Sequence, residues 1–249
     1  MNFRIADTFT DSLSKLTNEE QKAVKTTAFD LQMNPANPGM QFHKLEKAKD
    51  KRFWSVRVSS DLRLIVHKTE DGLLLCYVGH HNNAYQWAES RKLETHPQTG
   101  AAQLVEIRET VKEIIIPQYK EAQKPVATIK PLLFKNCADE ELLKYGVPPE
   151  WLDDVRKANE DTILELADHL PGEAAEALLC LATGTQPQII PPAVAGSDPF
   201  KHPDAERRFR TMQNIEELER ALEFPWEKWM IFLHPAQKQM VEKDYGGPT

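Results

Sequence analysis

The sequence predicts an α+β fold, in which an antiparallel sheet with helices occupies the first 95 residues and a mostly α-helical region follows. Segments of alternating apolar and polar residues, joined by short turns, fill the chain from 41 to 78. Apolar residues with helical spacing precede and follow these segments. The chain has 249 residues, 41% hydrophobic and 28% charged, which is enough for one large or two small domains.

The first long helix is predicted from its start and stop signals. After a short strand at 3–5, Thr17 and Glu20 have the spacing of a capping box, which starts a helix. The helix ends at Asn34 because Pro35 disfavours helical geometry in the residue before it. The residues predicted for its buried side are Val24, Phe29, Leu31 and Met33.

Four strands are predicted next, and alternation assigns their faces. Trp54 and Val56 fall on one side of the second strand, whereas Arg57 falls on the other. Arg63 of the third strand shares the face of Arg57. The last strand is apolar on both faces, which predicts a central position in the sheet. The predicted strands are 41–45, 53–59, 62–67 and 73–78, and a helix at 83–93 follows them.

The chain beyond residue 95 is predicted to be mainly helical, with one linker. A helix is expected at 105–124, where Ile107, Val111, Ile114 and Ile115 are spaced for a buried stripe. Closely spaced prolines indicate an exposed linker further on. The predicted divisions are an α+β domain at 1–95, a helical connector at 96–139, a small helical unit at 140–184, a proline-rich linker at 185–203, and a segment at 204–249 in which Asn214 caps a helix.

Composition argues against several classes of protein. No apolar run approaches the roughly 20 residues of a membrane-spanning helix, and the N-terminus does not resemble a secretion signal. Cys76, Cys137 and Cys180 form no CxxC pattern, which predicts reduced thiols, a cytoplasmic protein and no metal site. The net charge is −7, but residues 1–95 hold 14 basic and 12 acidic residues, so this segment is the better candidate to meet a polyanion.

Three blocks of the first domain carry a family resemblance. They are Phe-Trp-Ser-Val-Arg-Val at 53–58, Asp-Leu-Arg-Leu-Ile-Val at 61–66 and Val-Gly-His-His-Asn-Asn-Ala-Tyr at 78–85. Their order and spacing resemble the RelE/ParE toxin family, including its YafQ-like members, over nearly all of 1–95. The resemblance implies an antiparallel sheet whose open face binds RNA on the ribosome. Active members cleave mRNA there, and others poison gyrase.

Metal-free RNA cleavage needs a base for the 2′-hydroxyl, positive charge for the phosphorane and an acid for the leaving oxygen. The resemblance implies a catalytic role for Arg63 and for His80 or His81, and a functional role for Tyr85. Arg57, on the predicted face of Arg63, is a candidate second arm of a phosphate clamp. Each residue also has a structural alternative. The arginines can pair with acids, the histidines can serve as hydrogen-bonded structural residues, and Tyr85 can belong to the helix–sheet core.

A basic cluster lies in the loop before the second strand. It predicts a surface that binds a nucleic-acid backbone. The alternative is a solvated loop, because Glu46 and Asp50 are interleaved with the basic residues. The members of the cluster are Lys44, Lys47, Lys49, Lys51 and Arg52.

The end of the chain carries a second resemblance. Phe232-Leu233-His234-Pro235-Ala236-Gln237 resembles the adenine-sensing Q motif of UvrD/PcrA-like superfamily 1 helicases. Gln237 would read adenine through its amide, which offers one acceptor and two donors, and Phe232 or Tyr245 would stack on the base. The sequence has no GxxxxGK[ST] loop. We therefore expect the start of a helicase motor cut off before its phosphate loop, with ATP and Mg²⁺ bound only in the presumed longer protein.

Three functions follow from these patterns. The first is a nucleic-acid or ribosome recognition region at the N-terminus of a UvrD-like DNA helicase, with DNA, mRNA or the ribosome as its partner. The second is a metal-free mRNA endonuclease of the RelE type. The third is a protein-interaction module that docks a partner through the acidic helical unit at 140–184.

Overall fold

The computed structural model of the chain describes residues 2–34, 39, 41–69, 72–111, 130–212, 214 and 217–218. They fall into two compact units. One unit combines the residues up to Arg91 with the described residues from Pro203 onward, and the other contains Lys92–His202.

Eight strands and eight α-helices are present in the described parts of the chain. The strands are β1 (Asn2–Ala6), β2 (His43–Lys44), β3 (Phe53–Arg57), β4 (Leu62–Lys68), β5 (Gly72–His80), β6 (Arg91–Thr95), β7 (Ala102–Glu106) and β8 (Phe209–Met212). The helices are α1 (Asp7–Ser14), α2 (Asn18–Met33), α3 (His81–Glu89), α4 (Asp139–Lys144), α5 (Leu152–Lys157), α6 (Ile163–His169), α7 (Gly172–Ala182) and α8 (Pro203–Arg208).

The first unit contains a six-stranded sheet in the order β2-β3-β4-β5-β1-β8. The antiparallel pairing predicted for the strands between 41 and 78 is confirmed, and so is the central position of β5. The sheet is nevertheless mixed, because β1 runs parallel to β5. Gly72 is needed at this pairing, since a Cβ atom there would lie 1.7 Å from the carbonyl oxygen of Asn2.

One face of the sheet is covered by α1 and α2. Phe9 and Leu13 of α1 and Val24 and Leu31 of α2 are fully buried against apolar residues of β1, β3, β4 and β5. The prediction for α2 was wrong at Met33, which is 55% exposed at the last turn of the helix. The buried residues of α2 are Val24, Ala28 and Leu31, whose helical spacing does not include position 33.

The start of α2 confirms the predicted capping box. The Thr17 hydroxyl accepts a hydrogen bond from the Glu20 amide at 3.4 Å, and the Glu20 carboxylate accepts one from the Thr17 amide at 2.9 Å. These two bonds satisfy backbone donors that the first turn of a helix otherwise leaves unpaired. The helix ends at Met33, and Asn34 forms its C-cap, as predicted.

Helix α3 lies on the other face of the sheet. Trp87 stacks on Tyr77 with ring centroids 4.9 Å apart and contacts the edge of Phe53 at 6.0 Å. The predicted helix at 83–93 was too late and too long. The helix ends at Glu89, and Leu93 is a buried residue of β6.

In the second unit β6 and β7 form a two-stranded sheet. The predicted helix at 105–124 was wrong at its start, because Gln103, Val105 and Ile107 are buried at every second position, which is the period of a strand. The β-branched Val105 and Ile107 fit a strand at least as well as a helix. Gly100, with φ of 73°, forms the turn between the strands. Ile114 and Ile115 lie outside the described residues.

The region predicted as a small helical unit at 140–184 contains α4, α5, α6 and α7. They surround Trp151, which is fully buried, and its indole N–H donates to the Glu106 carbonyl at 2.9 Å. Pro171 separates α6 from α7, and Gly184, with φ of 77°, follows the end of α7. Most residues between Gly184 and the short 3-10 helix Pro199–Lys201 are exposed and belong to no strand or α-helix.

After β8, Asn214 confirms its predicted capping role. Its side-chain oxygen accepts a hydrogen bond from the Glu217 amide at 2.7 Å. Leu218 is buried against the core of the first unit. None of the helices that the structure describes has the length and apolar character needed to cross a membrane.

Candidate functional site

The basic loop between β2 and β3 is anchored to the sheet by Asp50. This carboxylate is 6% exposed and accepts hydrogen bonds from His67 Nε2 at 2.9 Å and from Arg52 Nε at 3.0 Å. His67 is completely buried on β4. Burial by itself would raise the pKa of Asp50, but the hydrogen bonds from His67 and Arg52 outweigh it and hold the pKa well below its ordinary value.

The five basic residues predicted to bind a nucleic-acid backbone therefore differ in their surroundings. Arg52 is held by Asp50, and the Lys51 ammonium donates to the Glu46 carbonyl at 2.6 Å. Lys44, Lys47 and Lys49 are exposed. Within the described part of the chain, no carboxylate pairs with Lys44 or Lys47, so their charges face solvent.

Arg57 and Arg63 occupy directly opposite positions on β3 and β4, so they share one face of the sheet as predicted. Both guanidinium groups donate to the Ser59 carbonyl, Arg57 Nε at 3.1 Å and Arg63 Nη1 at 3.0 Å. Neither arginine forms an ion pair with a described carboxylate. Among the described residues, the two arginines are therefore not paired with acids. The Ser59 carbonyl, in the turn between β3 and β4, orients both guanidinium groups instead.

A cluster of imidazole and phenol groups lies on the same face. His43 pairs with Ser55 across β2 and β3, which places it on the face of Arg57. His43 Nε2 is 3.0 Å from the Tyr85 hydroxyl, and the His81 ring lies against Tyr85 with centroids 4.2 Å apart. Tyr85 is partly exposed and not a core residue. We call the open space beside these rings the His43–Tyr85 cleft.

The His43–Tyr85 cleft has a volume of about 360 Å³. Its lining residues include two histidines, a tyrosine, two lysines, two glutamates and one leucine. Such a mixture can hold a polar ligand and exchange protons with it. The lining residues are His43, Lys44, Leu45, Glu46, Lys47, His81, Tyr85 and Glu89.

Gln41 connects the cleft to Arg57. Its side-chain oxygen accepts from Arg57 Nη1 at 3.3 Å, and its carbonyl oxygen accepts from His43 Nδ1 at 2.9 Å. Gln41 has φ of 45°, in the left-handed region that favours glycine. Residues in this conformation tend to occur where a site imposes a particular geometry.

His80 is separated from these residues by the pleat of the sheet. It pairs with Leu62, whose side chain lies on the opposite face from Arg63, and its Nδ1 is 2.7 Å from the Asp61 carboxylate. The hydrogen bond from His80 lowers the pKa of Asp61. Of the two histidines left open by the sequence, the structure places His81 in the cleft and His80 outside it.

His43 and Gln41 were not among the site residues predicted from the sequence. Both lie in the strand predicted at 41–45. Alternation alone does not show which residues of the neighbouring strand lie opposite them. The register with Ser55 is the missing information, because it places His43 beside Arg57. Phe232, Gln237 and Tyr245 lie outside the described residues, so the predicted adenine site stays a prediction.

Across the described ranges, no group of three or more His, Cys, Asp or Glu side chains is placed to hold a metal ion. No protein family, curated protein or solved structure matches the chain.

Proposed function

We propose that the first unit binds a nucleic-acid strand in the His43–Tyr85 cleft. The observation that carries this proposal is the position of Lys44 and Lys47 at the cleft, without carboxylate partners among the described residues, beside the rings of His81 and Tyr85. Ammonium groups bind backbone phosphates, and aromatic rings offer surfaces on which an unpaired base stacks. The RelE/ParE-like blocks of the sequence support the same function.

The wider proposal is that this unit serves as an N-terminal recognition region of a UvrD-like DNA helicase in the cytoplasm. It rests on the resemblance of the segment containing Phe232 and Gln237 to the helicase Q motif, and ATP and Mg²⁺ belong to that longer protein. A chain with free Cys76, Cys137 and Cys180 fits a reducing compartment.

The binding proposal is tested with fluorescein-labelled single-stranded RNA and DNA and the full chain. Lys44→Glu with Lys47→Glu should weaken binding strongly. The matched control is Lys15→Glu with Lys22→Glu, which makes the same charge change on exposed residues of the helical layer over the other face. Equal affinity for the two double variants would overturn the proposal.

Salt dependence gives a second readout of the same contacts. Each phosphate neutralised by a lysine contributes about 0.7 to the slope of log affinity against log salt for a single strand. Lys44→Ala with Lys47→Ala should therefore reduce this slope by about 1.4 if each lysine contacts one phosphate. An unchanged slope would place the binding surface elsewhere.

A second candidate function, metal-free RNA cleavage, is favoured by the contact between His43 and Tyr85 next to His81. In such a reaction the 2′-oxygen loses its proton to the base and forms a bond to the adjacent phosphorus. The bond from phosphorus to the 5′-oxygen then breaks, and that oxygen takes a proton from the acid. We assign the role of this acid to His81, and Arg57 and Arg63 supply positive charge on the same face.

Cleavage is tested by incubating the chain with RNA and with the matching DNA in the presence of EDTA. The reaction predicts RNA products that end in a 2′,3′-cyclic phosphate, no DNA products and loss of activity in Tyr85→Phe. If the chain binds RNA without cleaving it, the recognition function is supported and RNA cleavage is excluded.

A further inference from the structure

Both ring nitrogens of His43 have hydrogen-bond partners, and the two partners differ in what they can do. Nδ1 is 2.9 Å from the Gln41 carbonyl oxygen, and Nε2 is 3.0 Å from the Tyr85 hydroxyl. A carbonyl oxygen only accepts, so Nδ1 carries the proton. In a neutral imidazole the other nitrogen is then an acceptor, and the Tyr85 hydroxyl donates to it.

Gln41 holds this arrangement in place from a constrained backbone. Its φ of 45° directs the carbonyl at His43, while its side chain accepts from Arg57 Nη1 at 3.3 Å. For a residue with a Cβ atom this backbone conformation is disfavoured. One residue thus sets both the tautomer of the histidine and the position of an arginine on the same face.

We propose that Gln41 is a positioning residue that fixes His43 as the Nδ1–H tautomer, so that Tyr85 is the group that receives a proton from a ligand in the cleft. The inference rests on the proposed function of the cleft. The Tyr85 proton is already directed at His43, which leaves the lone pairs of the phenol oxygen available to a hydroxyl of the ligand. His43 then acts through Tyr85.

In this arrangement each proton that is released has an acceptor. A ribose 2′-hydroxyl gives its proton to the Tyr85 oxygen while the Tyr85 proton passes to His43 Nε2. His43 becomes an imidazolium whose Nδ1–H remains on the Gln41 carbonyl. Tyr85 ends the step as a neutral phenol, so the negative charge of a free phenolate does not build up beside the phosphate.

The tautomer is measured directly by long-range ¹H–¹⁵N NMR of the histidine rings in the full chain. His43→Asn removes one set of signals among the eight histidines and so assigns them. The proposal predicts a protonated Nδ1 and an unprotonated Nε2 for His43 at a pH where the ring is neutral. An Nε2–H tautomer would overturn it.

Two variants separate the role of Gln41 from a general effect on folding. Tyr85→Phe removes the donor to Nε2 but leaves the Gln41 carbonyl, so the tautomer should stay while the Nε2 signal shifts. Gln41→Ala keeps the carbonyl and removes the bond to Arg57, so the tautomer should again stay. A switch of tautomer in Tyr85→Phe would show that Tyr85, not Gln41, selects it.

The result also separates this inference from the proposed function. If His43 is the Nδ1–H tautomer but the chain does not cleave RNA, the proposed tautomer stands and RNA cleavage is excluded. If the chain cleaves RNA while His43 is the Nε2–H tautomer, the cleavage function stands and the relay through Tyr85 is excluded.

Discussion

Replacing Asp50 with Asn tests whether the basic loop is held by a buried charge. Asn is nearly the same size but has one acceptor oxygen, so it cannot serve both His67 and Arg52 as the carboxylate does. His67 is fully buried, and leaving its Nε2–H without a partner costs about 2 kcal/mol. We therefore expect the free energy of unfolding of the first unit to fall by about 2 kcal/mol at pH 7.

The pH dependence of this loss follows from the pKa of Asp50, which lies below its ordinary value of 3.8 in the folded chain. A lowered carboxyl pKa stabilises the fold above the unfolded pKa, and this contribution disappears as the pH falls through the folded pKa. Stability changes by about 1.4 kcal/mol per pH unit in that window. The difference between the wild type and Asp50→Asn should therefore shrink to about half near pH 3.

The assay is urea denaturation at pH 7 and at lower pH, with unfolding of β4 followed by pulsed hydrogen exchange. Asp61→Asn is the matched control, because Asp61 also accepts a hydrogen bond from a histidine but is 62% exposed, and it should change the stability little. Equal stability of Asp50→Asn and the wild type would refute the reasoning. A difference that widens as the pH falls would refute it as well.

Three further predictions concern the fold. Burial lowers the pKa of His96, so the stability that its neutral ring gives the second unit is complete above pH 6.5 and is lost as the pH falls through the lowered pKa. The protection factors of β6 and β7 against hydrogen exchange should therefore decrease as the pH falls below 6.5 in the wild type, and decrease less in His96→Gln. Gly72→Ala should destabilise the first unit by about 2 kcal/mol, because the new methyl group meets the backbone of Asn2, and unchanged exchange protection in β1 would contradict this. Thr17→Ala should cost about 1 kcal/mol by removing the cap of α2, whereas Thr26→Ala, within the same helix, should cost less in the same urea titration.

The parts of the fold that depend on local signals could be predicted from the sequence. The capping box at Thr17, the alternation in β3 and β4 and the apolar β5 each reflect interactions within a few residues or between neighbouring strands. The parallel pairing of β1 with β5 could not be predicted in this way, because it joins segments about 70 residues apart. The same limit applies at β7, because the β-branched Val105 and Ile107 suit a strand, although Ile107 also matches the spacing of a helical stripe.

The candidate site was predicted in part for the same reason. Arg57 and Arg63 were placed together because alternation fixes the face of each, and the turn between them is short. His43 was missed because its place beside Tyr85 depends on the register of β2 and on where α3 begins. His80 and His81 are neighbours in sequence, and only the strand pairing of His80 with Leu62 separates their roles.

The most direct test of nucleic-acid binding in the cleft is photocrosslinking. The full chain is irradiated with single-stranded RNA that carries 4-thiouridine, and the crosslinked peptides are identified by mass spectrometry. The account predicts crosslinks to His81 or Tyr85 and to the segment containing Lys44 and Lys47, and their loss when both lysines are changed to Glu. Crosslinks confined to Lys92–His202, or crosslinks that persist in the double variant, would contradict it.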